Sequence, residues 1–349
     1  MKSLSPEPRN QAVGTSALLS ALVLVFAAMY FAAAIIAPVV FALFIVAIAW
    51  PLQSALQTRI PKLLALVVTI FVTLSVIALL VLLLVWGFGL VVQWLINNTA
   101  RFQALQAQAT DWLDAHGIEI RSLMADNYNP SWLIGAVREI GGRGYRLISF
   151  VVIAFAFTIL GLLEVDAARH NIERLGNPTL QQSLLTATKD IAAKFQRYML
   201  VRSTMSVLTG VVVWTFALFA GIELATAWGV IAFVFNYIPF IGPLFATVFP
   251  TLFALAQSGS WQLAIAVFAG LNVIQFVIGS YLEPRIAGAA LSMSPFIVLL
   301  SVFFWSFLWG VAGAFIGVPI MIAILTICEE HESTRWIAIL LSGRERKPA

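Results

Sequence analysis

Long apolar stretches, broken by two polar segments, are the dominant pattern of the chain. Apolar residues run almost without interruption over about 17–37, 39–56, 63–96 and 147–163, and again from Ser203 to Cys328. A bilayer core about 30 Å thick is crossed by roughly 20 apolar residues in a helix. Helix also satisfies every backbone amide without water. The strands of an outer-membrane barrel would alternate apolar and polar positions, and these runs do not. Pro38 predicts a tight reversal between the first two spans. The third run, Leu63–Ile96, is longer than a bilayer requires and predicts a continuous helix projecting beyond it.

The polar segments read differently. Within 97–146, Phe102, Leu105, Ala109 and Trp112 recur at helical spacing, with Gly117 as a stop. Ser131–Ile140 predicts a further short helix, and Gly141-Gly142-Arg143-Gly144 a flexible joint before the fourth span. Within 164–202, Asn177-Pro178 is a helix start, an N-cap followed by proline at the first helical position. Leu180, Leu184, Ile191 and Phe195 then form one apolar stripe, which predicts an amphipathic helix lying on the membrane or on the protein.

From 203 to 328 the only charges are Glu223, Glu283 and Arg285. Spans are expected at about 203–220, 224–238, 244–257, 261–282 and 296–328. Two of these are too short to cross untilted. The last is too long for one span and holds Gly310, Gly313, Gly317 and Pro319. The expected fold is therefore an all-α polytopic membrane protein, one transmembrane permease domain over 1–349. It has about eight transmembrane helices, with broken or re-entrant helices in the C-terminal half.

Composition supports lipid as the solvent. Of 349 residues 61% are hydrophobic and 10% charged, with a mean hydropathy of +0.96, against about a quarter charged in soluble domains. The first apolar stretch exceeds a typical signal-peptide core of roughly 7–15 residues, so it is read as a retained span. The net charge of +4 matters less than its placement. Lys2 and Arg9, Arg59 and Lys62, the basic residues of 169–202, and Arg335 with Arg344, Arg346 and Lys347 fall on one side if the spans alternate. By the positive-inside rule both termini and the 164–202 segment are then cytoplasmic, and the 97–146 insert is extracytoplasmic.

Candidate chemistry concentrates in the 203–328 core. Glu283-Pro284-Arg285 places a carboxylate and a guanidinium at the end of an apolar run, where charge marks a pathway or a paired structural site. Pro284 should bend or end the helix. The alternative is a plain helix end with both side chains reaching water. Asn236-Tyr237-Ile238-Pro239-Phe240-Ile241-Gly242-Pro243 interrupts the apolar run as the broken helices of transporters do; an ordinary turn between spans is the other reading. Asn272 and Gln275 share a helix face and line either a path or a helix–helix contact. Gly310 and the Gly313-x-x-x-Gly317 pair are read as helix-packing positions, and Glu223 as a loop residue or a proton-linked carboxylate.

No enzyme pattern emerges. The single Cys328 excludes an intramolecular disulfide, and His116, His170 and His331 have no metal-ligand partner at useful spacing. There is no Walker-type loop, and the dispersed basic residues argue against nucleic-acid binding. No metal or cofactor is expected.

Together these C-terminal motifs, continuing through Ile286-Ala287-Gly288, Leu291, Ser294-Pro295 and Trp309-Gly310-x-x-Gly313-x-x-x-Gly317-x-Pro319, resemble the autoinducer-2 exporter (AI-2E) family of bacterial permeases. The resemblance extends over about 15–335. It implies a multi-pass inner-membrane protein, a homo-oligomer, and export of a small polar solute such as autoinducer-2. Some members are linked instead to sodium (or lithium)/proton antiport. A membrane scaffold without transport is the third reading. Besides the bilayer, the expected partners are a small-molecule or monovalent-cation substrate and a second copy of the chain.

Overall fold

A computed structural model describes residues 8–99, 131–287, 293–330 and 332–341, with 101, 107, 110, 111, 114 and 115 between them. The helical spacing expected around Phe102–Trp112 and the stop at Gly117 lie outside the described residues. Eleven helices and one π-helical segment make up the described fold: α1 (Pro8–Phe31), α2 (Ala33–Gln57), α3 (Lys62–Asn97), α4 (Ser131–Glu173), α5 (Pro178–Phe219), α6 (Ala225–Phe235), α7 (Ile241–Ser258), α8 (Trp261–Gln275), the π segment (Phe276–Leu282), α9 (Glu283–Ala287), α10 (Pro295–Glu330) and α11 (Arg335–Leu341). No strand occurs among the described residues. Seven helical stretches, α2 to α5, α7, α8 continued to Ile286, and α10, are long and apolar enough to cross a membrane, and α6 is shorter. The all-α polytopic fold is as expected.

Several boundaries differ from the sequence reading. Pro38 is not a reversal; it lies inside α2, as does Pro51. The chain departs from the helix instead at Ala32 (φ −91°, ψ 16°). Hydrogen bonds from Ala32 N to Ala28 O and from Ile36 N to Ala32 O carry through that residue. Membrane helices tolerate proline because neighbours re-satisfy the freed carbonyl. The glycines at 141, 142 and 144 are no joint either, since α4 is unbroken over 43 residues. A glycine costs about 1 kcal/mol in a helix interior, less than breaking the ladder at the edge of a membrane. The amphipathic 177–198 stretch is not a separate surface helix. It is the first half of α5, a single helix of 42 residues, about 63 Å long at 1.5 Å per residue. Its start is the expected one, with the Asn177 side chain accepting from Thr179 N and Leu180 N.

The two largest of four buried clusters hold most of the described helices together. One joins α3, α5, α6, α7 and α8 around Trp94, Val213, Trp228, Ile231 and Phe253. The other joins α1, α2, α5 and α10 around Phe44, Phe195, Val302, Trp305 and Ile316. Large apolar residues remain exposed along α3, α8 and the π segment, among them Phe71, Leu82, Ile265 and Phe276, as lipid-facing surface requires.

α10 is folded in two. Trp309 (φ −130°, ψ 15°) and Gly310 (φ 63°, ψ −142°) leave helical geometry, and the second of these conformations is essentially open to glycine only. A Cβ built on Gly313 would lie 1.8 Å from Trp305 O, and one on Gly317 2.9 Å from Ser301 O. Paired contacts at 313/305 and 317/301 mean that the legs on either side of Trp309–Gly310 run antiparallel in contact. The first leg is too short to cross a bilayer. α5 and α6 approach as closely: a Cβ on Gly210 would lie 2.9 Å from Gly229 O, and one on Gly229 2.9 Å from Gly210 O.

Candidate functional site

Residues 198–206 of α5 are where the polar groups of the core converge. Arg202 is 8% exposed, and its Nη1 donates to Glu283 Oε2 at 3.2 Å. Its guanidinium also lies 5.8 Å from the centroid of the buried Tyr198 ring. Its Nε is buried with no hydrogen-bond partner among the described residues. At the next residue of the same helix Ser203 Oγ accepts from Tyr237 Oη at 3.1 Å, and one turn on from Arg202 Ser206 Oγ accepts from Asn236 Nδ2 at 3.2 Å. α5 thus bonds the α6–α7 break and the end of the α8 rod within a few residues of each other.

The local backbone explains this placement. α6 is 11 residues long; Leu224 (φ 58°) precedes it, and Phe240 (φ 62°), at the start of α7, is the other non-glycine residue with positive φ among the described residues. Such conformations persist only where surrounding structure enforces them, and they collect at functional sites. Gly242 lets α7 start hard against the end of α6; a Cβ there would lie 2.2 Å from Phe235 O. Pro239 is buried in this turn and Pro243 half-buried just beyond it. The Tyr237 ring stacks on Phe315 of α10, centroids 6.2 Å apart, which ties the break to the second leg of the α10 hairpin.

Pro284 does not end its helix. The missing donor is absorbed upstream, where Phe276–Leu282 widens into a π-helical turn with Glu283 N donating to Ile278 O. The helix then resumes as α9. Turns of this type are rare and are frequent at functional positions. Here the widened turn sets the direction in which Glu283 leaves the helix, toward Arg202.

The remaining expected residues fall apart from this cluster. Arg285 does not pair with Glu283, because residues two apart on a helix do not face each other. Its guanidinium lies over the Tyr281 ring at 3.9 Å, on the exposed side. Asn272 is exposed and its Nδ2 donates back to Phe268 O at 2.8 Å. Gln275 is half-buried, with its Nε2 buried and without a partner among the described residues. Glu223 lies at the far end of the core, where Oε2 accepts from Trp94 Nε1 at 2.5 Å and its backbone N donates to Gln257 Oε1 at 2.8 Å.

Arg202, Ser203 and Ser206 were missed as site residues. In the sequence Arg202 belongs to a run of basic residues after the fourth span and is explained by membrane orientation. The available signal was scarcity: Glu283 needed a buried cation, and Arg202 is the last basic residue before the apolar core.

The family model described as AI-2E family transporter matches residues 19–333. The chain is 29% identical over 338 residues to the AI-2 transport protein TqsA of Escherichia coli K12, covering 95% of this chain and 96% of that one. It is 28% identical over 350 residues to YhhT of the same organism, covering 98% of each chain. A Haemophilus influenzae protein is 27% identical over 354 residues, covering 94% of this chain and 95% of its own. All three are named as transport proteins.

Proposed function

We propose that this chain, which belongs to the AI-2E transporter family, exports a small polar solute across the bacterial inner membrane along α5, past the α6–α7 break and the Arg202–Glu283 pair. The observation that carries this reading is the buried ion pair itself. Desolvating two charges costs several kcal/mol each, and core packing alone has no need of it. The pair joins α5 to the π-helical continuation of α8, so opening and closing it moves the two walls of a path relative to each other. Asn236, Tyr237, Ser203 and Ser206 supply neutral hydrogen-bonding groups beside it, suited to an uncharged, hydroxylated solute. The name of the relative TqsA points to autoinducer-2 as the first solute to test. Glu283 and Arg202 carry the gate, and Gln275 offers its unpartnered amide to the same core. A homo-oligomer with both termini on the cytoplasmic side belongs to this reading, supported by the resemblance and by the placement of the basic clusters.

The test is efflux from proteoliposomes loaded with autoinducer-2. Glu283→Gln keeps the shape and removes the charge, and flux is expected to fall at least tenfold while the protein remains folded. Undiminished flux in Glu283→Gln overturns the gate. Sodium-dependent proton movement that disappears with Glu283→Gln, without solute flux, would replace the carrier with an antiporter. Absence of both activities from the unsubstituted protein would leave a scaffold.

A further inference from the structure

The short helix α11 presents an apolar face that is largely exposed. Trp336, Ile339 and Leu340 are 62%, 57% and 71% exposed. At spacings of three and four residues they form one helix face. The opposite face is engaged: Ala338 is 3% exposed, Thr334 Oγ1 donates to Cys328 O at 3.2 Å, and Ser294 N donates to Leu341 O at 3.4 Å. α11 therefore folds back from the end of the second leg of α10 to the start of the first.

The height of α11 follows from the hairpin. Because the legs of α10 are antiparallel, Ser294 and Cys328 lie at the same end of it. At that end Lys194 Nζ bridges to Glu329 Oε2 at 2.8 Å, on the part of α5 that carries its charges. Basic side chains of this kind collect where a membrane helix meets water on the cytoplasmic side. Phe296, at the start of the first leg, is 70% exposed, and Phe303 and Phe307 continue that surface at 58% and 76%. The exposed face of α11 and the exposed Phe296 thus lie at the same end of α10.

We propose that α11 is an interfacial helix whose Trp336, Ile339 and Leu340 insert into the lipid at the membrane surface, fixing both legs of the α10 hairpin at one depth. Tryptophan beside Arg335 at the water–lipid boundary suits that position, the ring in the headgroup region and the cation toward water. Burial of apolar surface drives the insertion, and the acidic neighbours Glu329, Glu330 and Glu332 give it no dependence on anionic lipid.

The experiment uses the full chain in vesicles of neutral phosphatidylcholine, with Cys328→Ser as background and one spin-labelled cysteine at a time. Labels at Trp336→Cys and Ile339→Cys are expected to collide more with oxygen than with a water-soluble nickel complex, and a label at Glu332→Cys the reverse. The two inserted positions guard against one of them failing to fold. If both labels meet the nickel complex as readily as the label at 332, the face lies in water and the proposal is wrong. If both are shielded from oxygen and nickel alike, with dipolar broadening between labels, a second copy covers the face and the proposal is equally wrong.

Discussion

Arg202→Met is expected to abolish solute flux and to destabilise the detergent-solubilised protein by about 3 kcal/mol, the scale seen when one partner of a buried ion pair is removed. The substitution keeps an unbranched apolar stem, removes the guanidinium that lies over the Tyr198 ring, and leaves Glu283 in the protein with no cation. Arg285 cannot replace Arg202, because it sits on the Tyr281 ring on the other side of the helix. The informative comparison is the double variant Arg202→Met/Glu283→Met. Replacing both charges by apolar groups is often neutral or stabilising, so thermal stability should return to near the parent value while flux stays absent. If the double variant recovers both, the pair is structural only. If Arg202→Met alone transports normally, the pair takes no part in the path. Thermal unfolding in detergent and efflux from proteoliposomes separate these outcomes.

Gly313→Ala should be the most damaging glycine-to-alanine change among the described residues. Its Cβ would lie 1.8 Å from Trp305 O and 2.5 Å from Trp305 C. Both are backbone atoms, so no rotamer change relieves the overlap, and the two legs of α10 must separate. Overpacking in a close-fitted core usually costs about 1–3 kcal/mol, occasionally more; a clash with backbone places this one at or above the top of that range. Gly279→Ala is the control. Nothing lies within 4 Å of its Cβ position, and its effect should stay within about 0.5 kcal/mol, as for other uncrowded surface sites. Equal melting temperatures for the two variants would show that the legs of α10 are not in contact.

What could be read in advance followed from where the information resides. The apolar runs have the period and length of membrane helices, so the all-α polytopic class was legible from them, and so was the oversize of the last run. The glycines at 310, 313 and 317 flagged a break there, although their spacing alone does not distinguish a hairpin from a kink. Prolines misled in two directions. Pro38 suggested a turn, but a membrane helix absorbs it. Pro284 suggested a helix end, but the chain widened into a π turn before it. Local sequence names the missing donor and leaves open how neighbours compensate.

The site was half legible for the same reason. Asn236, Tyr237 and Glu283 stood out because polar groups are costly in an apolar core. Their partners on α5 did not, since Ser203 and Ser206 are unremarkable in any helix and Arg202 had a sufficient explanation as an orientation signal. Pairing between residues 81 positions apart depends on how α5 and the α8 rod cross. Arg285, two residues from Glu283, was the obvious sequence neighbour and the wrong geometric one. Asn272 and Gln275, read as one polar face, divide between the exposed surface and the interior because the helix is rotated so that only Gln275 turns inward.

The most direct test of the path is whether water reaches Ser206, which is fully buried in this structure. In the Cys328→Ser background, Ser206→Cys should react with a membrane-impermeant maleimide only slowly at rest. It should react several-fold faster when an autoinducer-2 gradient drives efflux, and modification should block that efflux. A cysteine at 206 that stays unreactive while efflux proceeds at full rate would contradict the account, because the solute would then be crossing elsewhere.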